Sequence, residues 1–463
     1  MMWEKGGKGK EKARIWGTRR KRQGVCFTLP SLAPAPLTRK AISDFLASRR
    51  AQEEGAREIA SRIVEGVRLR GFEALEECSR ELDGFSLSPE NARVQPWEID
   101  EAEKALLPSQ QEAMLEMKAR LEAFARVQKD AMGEVCLEGN DGKTSLVFVP
   151  VARAGIYVPA GRAPLFSSLF MAAVPAAAAG VEEIVAFTPP QKDGKANPFV
   201  LAAARMCGIS DVYRIGGAQA IAAMAYGMDG MMAPVNVICG PGNAYVSAAK
   251  QIVAGSGARI DVPAGPSEVL VVADGTANPA YVASDMLAQA EHGTDSVAWC
   301  ICDSREVALE ISYELSTQLE RLPASSAARA SIPKWARVFV AGSMEEALRA
   351  SNEIAPEHLE LFAGDAQRLL PLVKNAGAVF AGTGEAFCDY GMSGGNHILP
   401  TNSAARAWGG VSVQTFGKWM YVEKLEESAQ KRLAKPAALL ARMEGLEAHA
   451  RAAEKRDDCG KMD

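Results

Sequence analysis

Alternation is what most narrows the folds open to this chain. Between residues 154 and 240, four short β-rich runs, "AGIYVP", "EEIVAFTPP", "DVYRIGG" and "VNVICG", are separated by Ala-rich stretches of a dozen or more residues. Four more runs, "SEVLVVADG", "SVAWCICDS", "ARVFVAGS" and "AGAVFAGTG", continue the pattern to residue 384. Parallel neighbours in a sheet need a crossover of about that length, usually a helix, so each series predicts a parallel sheet covered by helices.

The flanks have other rhythms. From residue 37 to 132 apolar residues recur every three or four positions among Arg, Glu and Gln, which predicts mostly helix. "EVCLEGNDGKTSLVFVPV" then reads as two β-rich runs joined by an "NDG" turn, and the last fifty residues, from "FGKWMYVEKLEES" onward, read as a helical tail. The fold class that follows is α/β: two incomplete, Rossmann-like parallel-sheet domains in tandem, with an N-terminal helical region and a C-terminal helical tail. Residues 1–35 are set aside as a basic extension expected to be disordered. Residues 36–156 and 267–411 are assigned to a first α/β domain that includes the helical N-terminal part, 157–266 to a second, and 412–463 to the tail.

Composition excludes several function classes. A net charge of -5 with 24% charged residues gives no global basic surface for nucleic acid, so a small-molecule substrate is expected. Nine cysteines without a CxxC pair argue against a disulfide framework or thiolate metal site and fit a reducing cytoplasm. The longest apolar stretch, "APLFSSLFMAAVPAAAAG" at 163–180, is interrupted by serines and a proline and is too short to span a bilayer. The first 22 residues carry nine Lys/Arg against two Glu and lack the apolar core of a secretory signal. They read as a disordered extension or misassigned start, a transit peptide, or a nucleic-acid arm.

Chemistry concentrates around four histidines, His292, His358, His397 and His449. In "AQAEHGTDS" a helix pattern stops at Gly293, and Gln289 and His292, three apart, share a face. An amide oxygen and an imidazole nitrogen suit Zn²⁺ but are too few for a site, and a helix-terminal His that complements the dipole is the plain alternative. In "APEHLEL" Glu357 and His358 are adjacent. A carboxylate beside an imidazole suits acid-base work, but neighbours on a strand face opposite ways, so joint action needs an irregular backbone, which Pro356 favours. A surface Glu beside a half-buried His is the alternative.

"FCDYGMSGGNHILPT" places Asp389 and His397 around a glycine-rich loop that backbone can bring close to a ligand. Cys388 there is a rival nucleophile, but nothing basic adjoins it in sequence to lower its pKa. Glu444 and His449, five apart, lie about 140° apart around a helix. "VICGPGNAYV" sets Gly240, Gly242 and Asn243 where a strand hands over to a helix, and "RIGGAQAIAA" repeats the layout with Gly216, Gly217 and Gln219. Free N–H groups hold phosphates at such places, though each could be only a tight turn.

In order, "AGIYVPAGRAPL", "GGAQAIAA", "GPGNAYV", "DVPAGPSEVLVVAD", "AQAEHGTDS", "APEHLEL", "NHILPT" and "EGLEAH" resemble the histidinol dehydrogenase family, from about Pro36 to Arg456. The resemblance implies one Zn²⁺ per subunit on Gln289, His292, Asp389 and His449. It implies a catalytic pair at Glu357 and His358, substrate contacts at Ser267, His397 and Glu444 together with the metal ligands and His358, and NAD contacts at Tyr157, Gln219 and Asn243. It also implies a homodimer whose C-terminal helices reach the partner's active site, so that Glu444 and His449 act across the interface while Glu291 faces away from the metal.

The implied reaction is the four-electron oxidation of L-histidinol through L-histidinaldehyde to L-histidine with two NAD⁺, the last step of histidine biosynthesis. The interval from Asp389 to His397 counts one residue longer than the family's usual loop, and the N-terminal extension has no family counterpart. A dehydrogenase of another small alcohol, a metal-dependent hydrolase and a noncatalytic metal-stabilised binding protein are the rival readings.

Overall fold

The structure, a computed structural model, describes residues 29–161, 163–263, 265–382 and 389–457. Cys388 and most of the basic extension lie outside the described residues.

Both β-rich series form parallel sheets. Strands β4 (Arg153–Tyr157), β5 (Glu183–Phe187), β6 (Asp211–Tyr213), β7 (Val237–Cys239) and β8 (Arg259–Ile260) make a five-stranded sheet in the order β6-β5-β4-β7-β8. A six-stranded sheet contains β1 (Ala35–Pro36), β9 (Glu268–Ala273), β10 (Val297–Cys302), β11 (Arg337–Val340), β12 (His358–Phe362) and β13 (Ala378–Gly382), in the order β1-β11-β10-β9-β12-β13. Apart from β1 the two orders are the same: the chain winds one way from the first strand of each series, returns, and winds the other way. The strand order therefore reverses between β4 and β7 in one sheet and between β9 and β12 in the other. Strands β9, β10 and β12 are buried along their whole length, as strands covered on both faces must be.

Three boundaries differ from the sequence reading. Residues 29–35, the described end of the stretch set aside as an extension, join the six-stranded sheet with Pro36: Leu32 is fully buried in its core and β1 pairs with β11. The N-terminal helices mostly cover the other sheet. Met114, Met117 and Leu121 of the helix Pro108–Ala131 pack with the helix Phe166–Ala179, and only the first turns of Arg39–Arg70, through Ile42 and Phe45, lie on the six-stranded sheet.

The C-terminal segment is not helical from its start. Its first part forms β14 (Gly417–Leu425), antiparallel to β3 (Gly142–Pro150), which pairs in turn with β2 (Val135–Gly139) across the predicted turn at Asn140 and Asp141. Trp419, Tyr421 and Val422 favour extended backbone, and β3 offered an open edge. Only then do the helices Glu427–Met443 and Glu447–Asp457 follow; they pack mainly on each other and leave Leu439, Leu440, Met443 and Leu446 exposed. Among the described residues, no helix is long and apolar enough to cross a membrane.

Candidate active site

The candidate acid-base pair is built where strands of the six-stranded sheet begin. Gly377 N–H donates to the Pro356 carbonyl and Ala378 N–H to that of Glu357, which fixes the entry to β12 after Ala355, a non-glycine residue at φ 52°. The irregular backbone that the adjacent pair requires is thus present. Both side chains converge on the first residue of β9. The Glu268 N–H donates to Glu357 Oε2 at 2.8 Å, and the Glu268 carbonyl lies 3.3 Å from His358 Nδ1. A carbonyl only accepts, so Nδ1 carries the proton and Nε2 keeps its lone pair. The Glu268 carboxylate in turn accepts from Asn402 N–H, tying this strand end to the loop that follows His397.

Glu357 and His358 are 6% and 5% exposed, with Glu357 Oε2 3.6 Å from His358 Nδ1. Burial, reinforced by the neighbouring His397, pushes His358 down to about 3. The ring therefore stays neutral in ordinary buffers, as a proton acceptor must.

His397 stands between two partners, with Nδ1 3.2 Å from His358 Nε2 and Nε2 3.2 Å from Asp389 Oδ1. The loop that begins at Asp389 thus delivers His397 to His358. Asp389 is held by Gly391 N–H at 2.7 Å and Ser393 N–H at 2.9 Å; these bonds and His397 outweigh its burial and lower its carboxyl to about 2. Asn396 Nδ2 donates to the Met171 carbonyl at 2.5 Å, anchoring the loop to a helix of the five-stranded unit.

On the helix Pro279–Ala290, capped by Asn278, the Gln289 side chain is completely buried, yet neither its Oε1 nor its Nε2 has a hydrogen-bond partner. A buried amide left so costs about 1–3 kcal/mol, an arrangement that a bound cation would relieve through Oε1. One turn on, His292 Nδ1 lies 3.3 Å from the Ala288 carbonyl, which leaves Nε2 as the free donor. A histidine fixed this way by a main-chain carbonyl is the usual form of a metal ligand. Burial lowers the His292 pKa, and the nearby His397 lowers it further. Glu291 turns away and accepts from Ser326 Oγ at 2.9 Å. These donors fit a borderline divalent ion, but one chain does not complete a site. Among the described residues, no three His, Cys, Asp or Glu groups stand together for a metal, and His449 and Glu444 are exposed on the C-terminal helices.

The candidate nucleotide residues gather at the other sheet, where its strands end. Tyr157, last in β4, accepts at its hydroxyl from Gly217 N–H at 3.1 Å, and burial raises its pKa to about 12. Gln219 donates through Nε2 to Asp83 at 3.2 Å, while its buried Oε1 has no partner. Gly240, at φ +133°, presses so close to the Tyr157 carbonyl that a Cβ would lie 2.1 Å from it. Asn243 caps the helix Ala244–Val253 by accepting from Tyr245 N–H and Val246 N–H, both at 3.1 Å. Main-chain groups and one orphaned amide oxygen around a glycine cradle are what a dinucleotide needs. Ser267, just before β9, has its carbonyl bonded by Val297 N–H and precedes Glu268 in the chain.

Glu268 and Asp83 were missed by the sequence reading. A carboxylate opening the apolar run "EVLVVA" was the available signal for Glu268, whereas Asp83 in "ELDGF" looks like a turn residue.

The family model for histidinol dehydrogenase matches residues 46–457. Histidinol dehydrogenase of a Synechococcus species is 44% identical over 397 residues, covering 84% of this chain and 89% of that protein. The Thermus thermophilus protein of the same name is 43% identical over 401 residues, covering 86% and 94%. Among solved structures, histidinol dehydrogenase from Elizabethkingia anophelis superposes with a TM-score of 0.80 at 35% identity, covering 88% of this chain and 93% of that one.

Proposed function

Given that the chain belongs to the histidinol dehydrogenase family, we propose that it oxidises L-histidinol through L-histidinaldehyde to L-histidine as a zinc-dependent cytoplasmic homodimer, reducing two NAD⁺ in the last step of histidine biosynthesis. The observation that carries this reading is that the main chain of Glu268 holds both Glu357 and His358: its N–H orients the carboxylate and its carbonyl sets the tautomer of a neutral imidazole.

Gln289, His292 and Asp389 would hold the metal, with His449 arriving from the partner subunit. When bound, the metal supplies an anchor for the substrate's imidazole and amine, and the nicotinamide supplies the hydride acceptor. His358 Nε2 takes the alcohol proton as the carbinol carbon is oxidised, and its buried ring remains unprotonated at working pH. Glu357 then draws a proton from the water that adds to the aldehyde while His358 returns its proton to the aldehyde oxygen, and the freed His358 ring accepts a proton again from the hydrate as the second hydride leaves. Ser267, His397 and Glu444 contact the substrate, and His397 keeps the His358 ring aligned from its 3.2 Å position. Tyr157, Gln219 and Asn243 line the dinucleotide site. Holding the aldehyde between two oxidations keeps the reactive intermediate out of solvent.

The test is stoichiometry. Two NADH per histidinol consumed, with no aldehyde trapped by semicarbazide, is expected; a ratio of one overturns the four-electron assignment.

A further inference from the structure

Among the largest fully buried side chains of the described residues every one is apolar except Lys250. It lies on the helix Ala244–Val253 and reaches back toward the turn that follows β7. Its Nζ donates to the Gly240 carbonyl at 3.0 Å and forms an ion pair with Asp261. Asp261 Oδ2 accepts from Gly240 N–H at 2.8 Å, and Oδ1 accepts from Val262 N–H at 2.7 Å. The two ends of a single residue are therefore held by the two halves of a single ion pair, whose side chains are 1% and 0% exposed.

Stability alone is a poor reason for such a pair. The cost of desolvating two charges is barely offset by their attraction, and apolar replacements of equal volume are often neutral or better. What the pair does that apolar side chains could not is fix both peptide planes flanking Gly240. That residue sits at a positive φ against the end of β4, and the next few amides begin the capped helix. Those planes set the direction in which the chain leaves β7 through Pro241 toward Gly242 and Asn243, where the capped helix begins.

The geometry points to Lys250 and Asp261 as positioning residues for the dinucleotide. They hold the Gly240 turn in its ligand-ready form before the nucleotide arrives, so that ordering the loop subtracts nothing from binding. This rests on the reading of that turn as the NAD site, and neither side chain touches the cofactor.

The experiment has two arms on zinc-loaded protein. In the double variant Lys250→Met with Asp261→Asn, which leaves no lone buried charge, the KM for NAD⁺ is expected to rise about tenfold or more. The KM for histidinol, kcat at saturating NAD⁺ and metal content should stay within about twofold. A variant that melts cooperatively and keeps its KM for NAD⁺ overturns the proposal. In the unaltered protein, hydrogen exchange across 237–243 should already be slow without nucleotide and change little with NADH; fast exchange that only NADH suppresses overturns it whether or not the variant folds. Fluorescence titration of the unaltered protein with NADH separates the two readings, because an absence of binding there defeats the dinucleotide assignment itself.

Discussion

In the five-stranded sheet the central strands β4 and β7 run out into Tyr157 and Gly240, whereas the corresponding strands of the six-stranded sheet, β9 and β12, begin with Glu268 and His358. The two sheets share one strand order around a reversal point, the place where open α/β sheets usually bind ligands at the carboxyl ends of the strands. At that end of the five-stranded sheet stand glycine turns and a helix start. In the six-stranded sheet the chain fills it: Asp274, after β9, accepts from Gly364 N–H at 2.9 Å and from Thr276 N–H at 2.7 Å, closing the carboxyl end with its own carboxylate. The proposed acid-base pair lies at the opposite end, where the main-chain groups of Glu268 at the start of β9 orient both side chains. Topology supplies the crevice; the loops decide which end of a sheet is used.

If the two ends are separate working parts, they should fail separately. Exhaustive chelation is expected to abolish turnover while NADH still binds with unchanged affinity by fluorescence, and full activity in metal-free protein would break the comparison at its root. His358→Asn should lower kcat by about 10²–10⁴-fold, the usual worth of a general base, with metal content and NADH affinity retained. Should both turnover and NADH affinity fall together, the ends are coupled.

Gly240→Ala attacks the other sheet. Its Cβ would meet the Tyr157 carbonyl, and overpacking of this kind costs about 1–3 kcal/mol, to be seen as weaker NADH binding and a lower melting temperature with histidinol affinity unaltered.

A further effect is on stability against pH. Because His358 titrates at about 3 when folded and in the ordinary imidazole range when unfolded, the unfolded chain binds more protons between those values. Its contribution to stability is therefore complete above the ordinary imidazole pKa and is lost as pH falls toward 3. Denaturation midpoints of wild type and His358→Asn should converge over that window, and parallel curves would show that the ring is not held neutral.

Much of this was legible in the residues. All eight β-rich runs became strands, because a run of β-branched and apolar residues bounded by turn formers has few other ways to bury itself. The stretches around Gln289, Glu357 and Asp389 were likewise visible as motifs, since scarce histidines beside carboxyl and amide groups stand out in an Ala-rich chain. The strand β14 was not: "GKWMYVEKL" forms a strand because β3 offered it an edge, and that edge is distant in sequence. The role of Lys250 was not legible either, since nothing within its own helix reveals that Asp261 lies on its buried side.

The sequence by itself determined the two parallel sheets, the family and the residues able to do chemistry, because period, composition and motif are local properties of a chain. Only the tertiary structure decided that the candidate nucleotide residues gather at the carboxyl end of one sheet and the candidate acid-base pair at the amino end of the other, that the N–H and carbonyl of Glu268 hold that pair, and that Gln289 is sealed in with an unmet amide. Those outcomes depend on main-chain groups and burial, and both are set by what lies across space rather than along the chain.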